Sequence, residues 1–554
     1  MLILSLFMFS TCFQQTGGKW IQEFEIHGSS LHEELGRQIV LLGDLDGDQH
    51  SEVLVASPGA DLGVSFPFGK VRVFSGATQE ILFETTSLDF SNASVIGLRS
   101  EVIGDINLDG FNDFALITSQ ALVYPYASVI VFSGADFQVL TRIFGPNGSI
   151  EFGFRGLAGG MDLNGDGFPD MLVSDEYYTG SLDYQGAVFA YDSTTWQPLW
   201  VAEGNYAWLR LGQSLACIHD INGDGYNDVL TSSSYAGSEG SVHALSGKDG
   251  TEIYRIDGIP GWTFLGIGGF AVIPDINRDG IDDFVTDMND PFWIHYNFGF
   301  LNVNSGVDGS LIQQIQAEIP DNGFPNFVVN VGDIDQDGFE DVATSAVSQQ
   351  TSGDGSGVVY VYSGRNWQVL ARIPAPPKQS RAFGWALSGG EDVTGDGRVN
   401  LGIGDHPSKY EGIIAAGAAY VYSFEPFLRA SAKQVSASNG GQVDFDLQFP
   451  PEEAGKEYRM LVSTDLPGSI VLGKMEIPLE HTPLTWAVAH NPPSWFTGSR
   501  GTLDANAYAT ATAVFPANKF TSHVGTTLKF VALTMRPIRK PDRSSAAVYV
   551  EIVP

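Results

Sequence analysis

One nine-residue acidic pattern occurs seven times in this chain, and it limits the possible folds more than any other feature. The first copy is Asp44-Leu-Asp-Gly-Asp-Gln-His-Ser-Glu52, and the clearest is Asp220-Ile-Asn-Gly-Asp-Gly-Tyr-Asn-Asp228. The first aspartates of successive copies lie 61, 57, 58, 55, 58 and 59 residues apart. A period of this size points to a propeller or an array of like units, each too small to bury its own apolar face.

The neighbours of each copy are also repeated. An apolar stretch such as Leu215-Ala-Cys-Ile precedes the acidic loop, and another such as Val53-Leu-Val-Ala follows it. The loop therefore joins two strands of a hairpin. A third strand comes next, usually opened by Gly and closed by a turn, as in Gly240-Ser-Val-His-Ala-Leu-Ser-Gly247. A fourth follows, as in Val369-Leu-Ala-Arg-Ile373. Four strands per repeat make one blade, and seven blades are a common closure number. The last repeat stops after Ala418-Ala-Tyr-Val-Tyr-Ser423, while Lys19–Ile26 is a strand that precedes the first repeat. The expectation is that this N-terminal strand completes the last blade and removes an open edge.

Positions 1, 3, 5 and 9 of each loop carry oxygen donors. They are Asp44, Asp46, Asp48 and Glu52; Asp105, Asn107, Asp109 and Asp113; Asp162, Asn164, Asp166 and Asp170; and Asp220, Asn222, Asp224 and Asp228. The remaining loops supply Asp275, Asn277, Asp279 and Asp283; Asp333, Asp335, Asp337 and Asp341; and Asp392, Thr394, Asp396 and Asn400. Alternate side chains of a tight loop converge on one point, and the position-7 carbonyl adds a neutral oxygen. Such a flexible oxygen cage suits Ca²⁺, whereas Mg²⁺ asks for stricter geometry and zinc for Cys or His. Gly at position 6, absent only from the first loop, permits the positive-φ turn this wrap requires. An EF-hand, or a dockerin-type loop, would place helices on both sides, and an EF-hand puts its bidentate acid at position 12; here strands flank the loop and the acid is at position 9. Six loops are complete. The seventh, with Thr394 and Asn400, keeps only two carboxylates, so up to seven calcium ions are expected and the seventh is the doubtful one.

These repeats resemble the FG-GAP repeats of integrin α-subunit propellers and of related secreted bacterial proteins. Phe152-Gly153, Leu211-Gly212, Leu265-Gly266 and Phe383-Gly384 stand before acidic loops, and Ser57-Pro-Gly-Ala60 approximates the G-A-P element. The resemblance covers roughly residues 20–425. It implies a seven-bladed propeller with calcium in the blade hairpins.

Charge divides the chain. The net charge is −36, and residues 429–554 hold 12 of the 29 basic but only 11 of the 65 acidic residues. The acidity belongs to the repeats. Nucleic-acid binding is excluded as an expectation, because no Lys/Arg cluster is present. Seven calcium ions would change −36 to −22. The tail alternates with period two in Val443–Phe449, Thr527–Leu533 and Ala547–Ile552, which predicts a β-sandwich. The chain thus reads as all-β: residues 1–18 a signal peptide, 19–428 a seven-bladed propeller, and 429–554 a small C-terminal β-sandwich-like domain. The leader reading rests on the apolar run Met1–Ser10, too short to span a bilayer. With the leader removed, Cys217 is the only cysteine and no internal disulfide is possible.

No G-x-S-x-G, H-E-x-x-H or P-loop pattern occurs, so no catalytic residue is assigned. The expected role is a monomeric, non-enzymatic, secreted or cell-surface calcium-binding propeller, without a membrane span, that acts in adhesion or in binding a protein or glycan ligand. Tyr177, Tyr178, Tyr184, Trp208, Tyr235, Trp262, Phe292, Trp293 and Tyr296 are candidates for a recognition face, with blade packing as the competing role. The alternative function is a calcium-dependent, lyase-like polysaccharide enzyme on the same scaffold.

Overall fold

The structure, a computed structural model, describes residues 17–554 apart from 62–68, 91–94, 120–126, 148, 150, 234–239, 260–263, 290–298, 317–322, 351–355, 377–381, 407, 410–411, 465–469, 473–474 and 537–540. Seven four-stranded antiparallel sheets follow one another, and six are built from consecutive strands. In the fourth blade, for example, Leu211–Ile218, Asp228–Ser233, Ser241–Leu245 and Glu252–Asp257 pair in order. Its second and third strands, Asp228–Ser233 and Ser241–Leu245, are buried along their whole length. Fourth strands are wetter, and Leu311–Gln316 is almost wholly exposed. A blade thus packs against a neighbour on each face and presents its last strand to solvent.

The seventh blade departs from chain order. Ala386–Gly389, Leu401–Asp405 and Ala418–Pro426 are completed by Gly18–His27 from the other end of the chain. The register sets Trp20 opposite Phe424 and Ile26 opposite Ala419. The expected closure by the N-terminal strand is therefore what the fold contains. Closure is visible in the packing as well. Seven apolar clusters each join one pair of neighbouring blades, from Leu54 with Phe114 and Leu116 between blades one and two, to Phe24, Ile39, Val53 and Val421 between blades seven and one.

The FG dipeptides explain themselves at these junctions. Phe152 and Phe383 are fully buried. Gly153 and Gly384 have φ of +80° and +89°, and a Cβ on either would lie 2.7 Å from Ile117 or 2.6 Å from Ser345 on the preceding blade. The bulky residue fills the cleft and the glycine lets the next blade close on it.

Beyond Pro426 the chain enters a sandwich. Leu428–Ala430, Gly441–Gln448, Tyr508–Phe515 and Phe496–Thr497 form one sheet. Glu457–Thr464, Thr527–Met535 and Val548–Val553 form the body of the other, extended by Gln434–Ser436, Arg500–Thr502 and Pro541–Ser544. Val443, Phe445 and Leu447 face Met460, Val462 and Phe530 across one core, with the Phe445 and Phe530 rings 4.6 Å apart. One element was not foreseen: a short helix, Pro483–His490, capped by Thr482. Cys217 is partly buried among Ala158, Leu172 and their neighbours, and burial pushes its thiol up to about 12, so it is packing and no nucleophile.

Candidate metal centres

Each acidic loop crosses between the first and second strands of a blade, so all seven open toward the same edge of the ring. The position-1 aspartate organises the loop. Its Oδ2 accepts the position-6 N–H in every copy, at 2.9 Å from Gln49 to Asp44, 2.8 Å from Gly110 to Asp105 and 2.9 Å from Gly338 to Asp333. Position 6 has positive φ throughout, from +79° at Gly397 to +98° at Gly110, and Gln49 accepts +70° in the first loop. The predicted wrap is present, including where glycine is missing.

Position-3 and position-5 side chains fold inward by accepting the N–H two residues on. Asn164 takes that of Asp166 at 2.8 Å, and Asp166 takes that of Phe168 at 2.9 Å. The third strand adds a donor that was not anticipated. Ser133, Ser246 and Ser305 hydroxyls donate to Asp109, Asp224 and Asp279 at 3.1, 3.1 and 3.0 Å.

Position 9 is fully buried in all seven loops. One oxygen accepts the position-2 N–H, as from Ile221 to Asp228 at 2.8 Å. The other reaches the residue just past the third strand: Gly134 to Asp113, Ser193 to Asp170, Gly247 to Asp228, Gly306 to Asp283 and Gly364 to Asp341, at 2.9 to 3.2 Å. The position-9 acid thus clamps loop to blade besides facing the loop interior. The signal was the recurrent Ser-Gly at the end of the third strand, read earlier only as a turn.

Among the described residues, two of the seven loops bring three carboxylates together as a hard cation requires. Asp44, Asp46 and Asp48 offer carboxylate oxygens within 4.8 Å of one another, as do Asp333, Asp335 and Asp341; these are the two loops with Asp at position 3. Glu52 Oε1 and Asp333 Oδ1 are buried with no hydrogen-bond partner. Burial, reinforced by the neighbouring carboxylates and opposed by the N–H bonds, pushes Glu52 up to about 7 and Asp113, Asp170 and Asp228 up to about 6. Asp335 and Asp341 are raised further, by burial and then by Asp337. Such a loop calls for positive charge.

The seventh loop carries its own. The Arg398 guanidinium pairs with Asp396 and donates to the Phe424 carbonyl at 3.0 Å. The amide nitrogen of Asn400 is buried without a partner where the other loops present a carboxylate oxygen. Position 7 is Phe, Tyr, Ile or His elsewhere, and that basic residue was the overlooked signal.

On the opposite edge of the ring, Tyr184 lies tilted against Trp208 at 4.6 Å and meets Tyr177 at 6.0 Å, with the Arg210 guanidinium 4.6 Å over Tyr177. Tyr178 instead packs on Phe189. Tyr235, Trp262, Phe292, Trp293 and Tyr296 lie outside the described residues. His219 pairs with Asp282 of the next blade.

No family model matches the chain. Among curated proteins it is similar to integrin α-4 of Xenopus laevis, 28% identical over 41% of this chain and 23% of that protein. It is likewise similar to integrin α-PS5 of Drosophila melanogaster, 31% identical over 26% of the chain and 15% of the relative, and to integrin α-V of Gallus gallus, 27% identical over 40% and 22%. This is an integrin-α-like propeller. The chain spans less than a quarter of the length of these relatives. Among the described residues, no helix is long and apolar enough to cross a membrane.

Proposed function

We propose that the protein is a non-enzymatic adhesion or ligand-binding propeller whose blades are stabilised by calcium in the first six acidic loops, with Arg398 serving the seventh. The observation that carries this reading is the repetition of one donor arrangement at one place in the ring, with a fully buried position-9 group in every copy. Similarity to integrin α subunits supports the adhesive role. When bound, Ca²⁺ supplies two positive charges per loop and draws positions 1, 3, 5 and 9 together. The residues then hold the hairpin, and through the position-9 clamp they hold the third strand.

Loops on a rigid ring suit recognition, and the Tyr177, Tyr184 and Trp208 cluster marks the edge away from the calcium loops as the binding face for a protein or glycan. Export to the cell surface or medium agrees with calcium at roughly 10⁻⁴–10⁻³ M affinity. The leader expected over residues 1–18 is placed shorter here, ending before Gly17, because the Gly17 carbonyl accepts the Phe427 and Ala546 N–H groups.

A glycan array and a surface-protein pull-down, each run with millimolar calcium and with chelator, test this. Calcium-dependent capture weakened by Trp208→Ala is expected. Release of unsaturated uronate from pectic polysaccharides by the purified protein would overturn the non-enzymatic reading.

A further inference from the structure

The sixth loop differs from the other six in what covers it. Asp335 and Asp337, at positions 3 and 5, are only 7% exposed, whereas Asp46 and Asp48, Asn222 and Asp224, and Asn277 and Asp279 face solvent. The cover is the C-terminal sandwich. Ser545, Ala546, Ala547 and Tyr549 line a cavity of about 40 Å³ with Asp335, Asp337 and Ser363. The Arg365 guanidinium lies 3.6 Å over the Tyr549 ring and 4.8 Å over Phe339, which is position 7 of this loop. Lys433 of the sandwich reaches Asp333 at 3.2 Å.

Charge does not balance across this joint. Four carboxylates, Asp333, Asp335, Asp337 and Asp341, are brought under the sandwich and, among the described residues, face only two cations, Lys433 of the sandwich and Arg365 of the blade. A second observation points to a missing group. Ser363 is 1% exposed and its hydroxyl has no hydrogen-bond partner, although its counterparts Ser133, Ser246 and Ser305 each hold a position-5 carboxylate. Burying carboxylates costs far more unpaired than paired.

We propose that the sixth loop is a cation-locked joint: a divalent cation held by Asp333, Asp335, Asp337 and Asp341 fastens the C-terminal sandwich to the propeller, and docking of the sandwich tightens that same ion. This rests on the calcium reading above and adds to it a role confined to one loop. Linkage requires the effect to run both ways. The joint has a second anchor in Gly17, whose carbonyl accepts the Ala546 N–H at 2.9 Å; the strand that closes the ring also ties down the sandwich.

Hydrogen exchange of the full chain tests the joint, read on the segment 544–549 that contains the Ala546 amide, with native mass spectrometry counting bound calcium. Asp335→Asn and Asp166→Asn should each lose one ion. Only Asp335→Asn, or chelation of the wild type, should speed exchange in 544–549, by roughly tenfold or more, while 527–535 inside the sandwich stays protected. Tyr549→Ala should weaken one calcium ion by roughly 5–150-fold and leave the others alone. If each variant loses an ion yet 544–549 remains protected in both and under chelation, the joint is refuted and the calcium loops stand. If the wild type binds no calcium, both readings fall together.

Discussion

The propeller and the sandwich solve the same problem with opposite means. The sandwich carries 11 acidic and 12 basic residues and is held by an inter-sheet core, into which alternate residues of Gly441–Gln448 turn, and by a second apolar cluster around Leu479 and Val531. The propeller carries the remaining 54 acids against 17 bases, and it divides its apolar interior into seven clusters between blades. No single cluster is large, and each hairpin ends in carboxylates that repel one another. On the calcium reading proposed above, a ring built this way depends on countercharge in its loops, while the sandwich does not.

Chelation should give the largest separation. At about ten times its dissociation constant each ion adds about 1.4 kcal/mol, so six ions contribute roughly 8 kcal/mol to the propeller. Calorimetry should show the propeller transition falling steeply in chelator while the sandwich transition moves little; equal shifts would erase the distinction. The converse perturbation is Phe530→Ala, which removes a fully buried ring facing Phe445. It should cost the sandwich about 3–5 kcal/mol, and the loss should be the same with and without calcium.

Gly247→Ala sharpens the comparison within one blade. A Cβ there would sit 1.8 Å from the Asn227 carbonyl, beside the N–H that Gly247 gives to Asp228 at 3.0 Å. The blade should lose roughly 2 kcal/mol and the fourth loop should bind calcium more weakly, both measurable by titration calorimetry and melting. A variant with wild-type calcium affinity would show that the position-9 clamp does not support the loop.

Per pH unit, the smallest effect is on acid response. His406 Nε2 accepts from the Arg37 guanidinium at 3.1 Å, and its ring lies tilted against Trp385 at 4.6 Å. Burial, with Arg37 second, holds its imidazole down at about 3. Because the unfolded chain takes up that proton at the ordinary value and the fold does not, propeller stability falls as pH drops below about 6.5 and goes on falling to about 3. The slope reaches about 1.4 kcal/mol per pH unit, and His406→Gln should flatten it in calcium-saturated protein.

Much of this was legible in the residues. The loops, their period, the flanking strands and the closure of the last blade by Lys19–Ile26 all follow from local pattern, because alternation and Asp/Asn/Gly turns act over a few residues. What was hidden depends on distance. The hydroxyl of Ser246 meets Asp224 across a strand and a turn, 22 residues away, and nothing near either residue announces the pair. Arg398 stands in plain view, but a basic residue at position 7 gains meaning only through its pairing with Asp396. Burial of Asp335 and Asp337 requires knowing where the sandwich lands, and that is set by Gly17 and Tyr549 from the two ends of the chain.

The most direct test is a crystal structure of the full chain grown in millimolar calcium with anomalous data. The account predicts one calcium ion in each of the first six loops, within about 2.3–2.6 Å of the oxygens at positions 1, 3, 5 and 9, and Arg398 alone in the seventh. Empty loops under those conditions, with the blades intact, would contradict it.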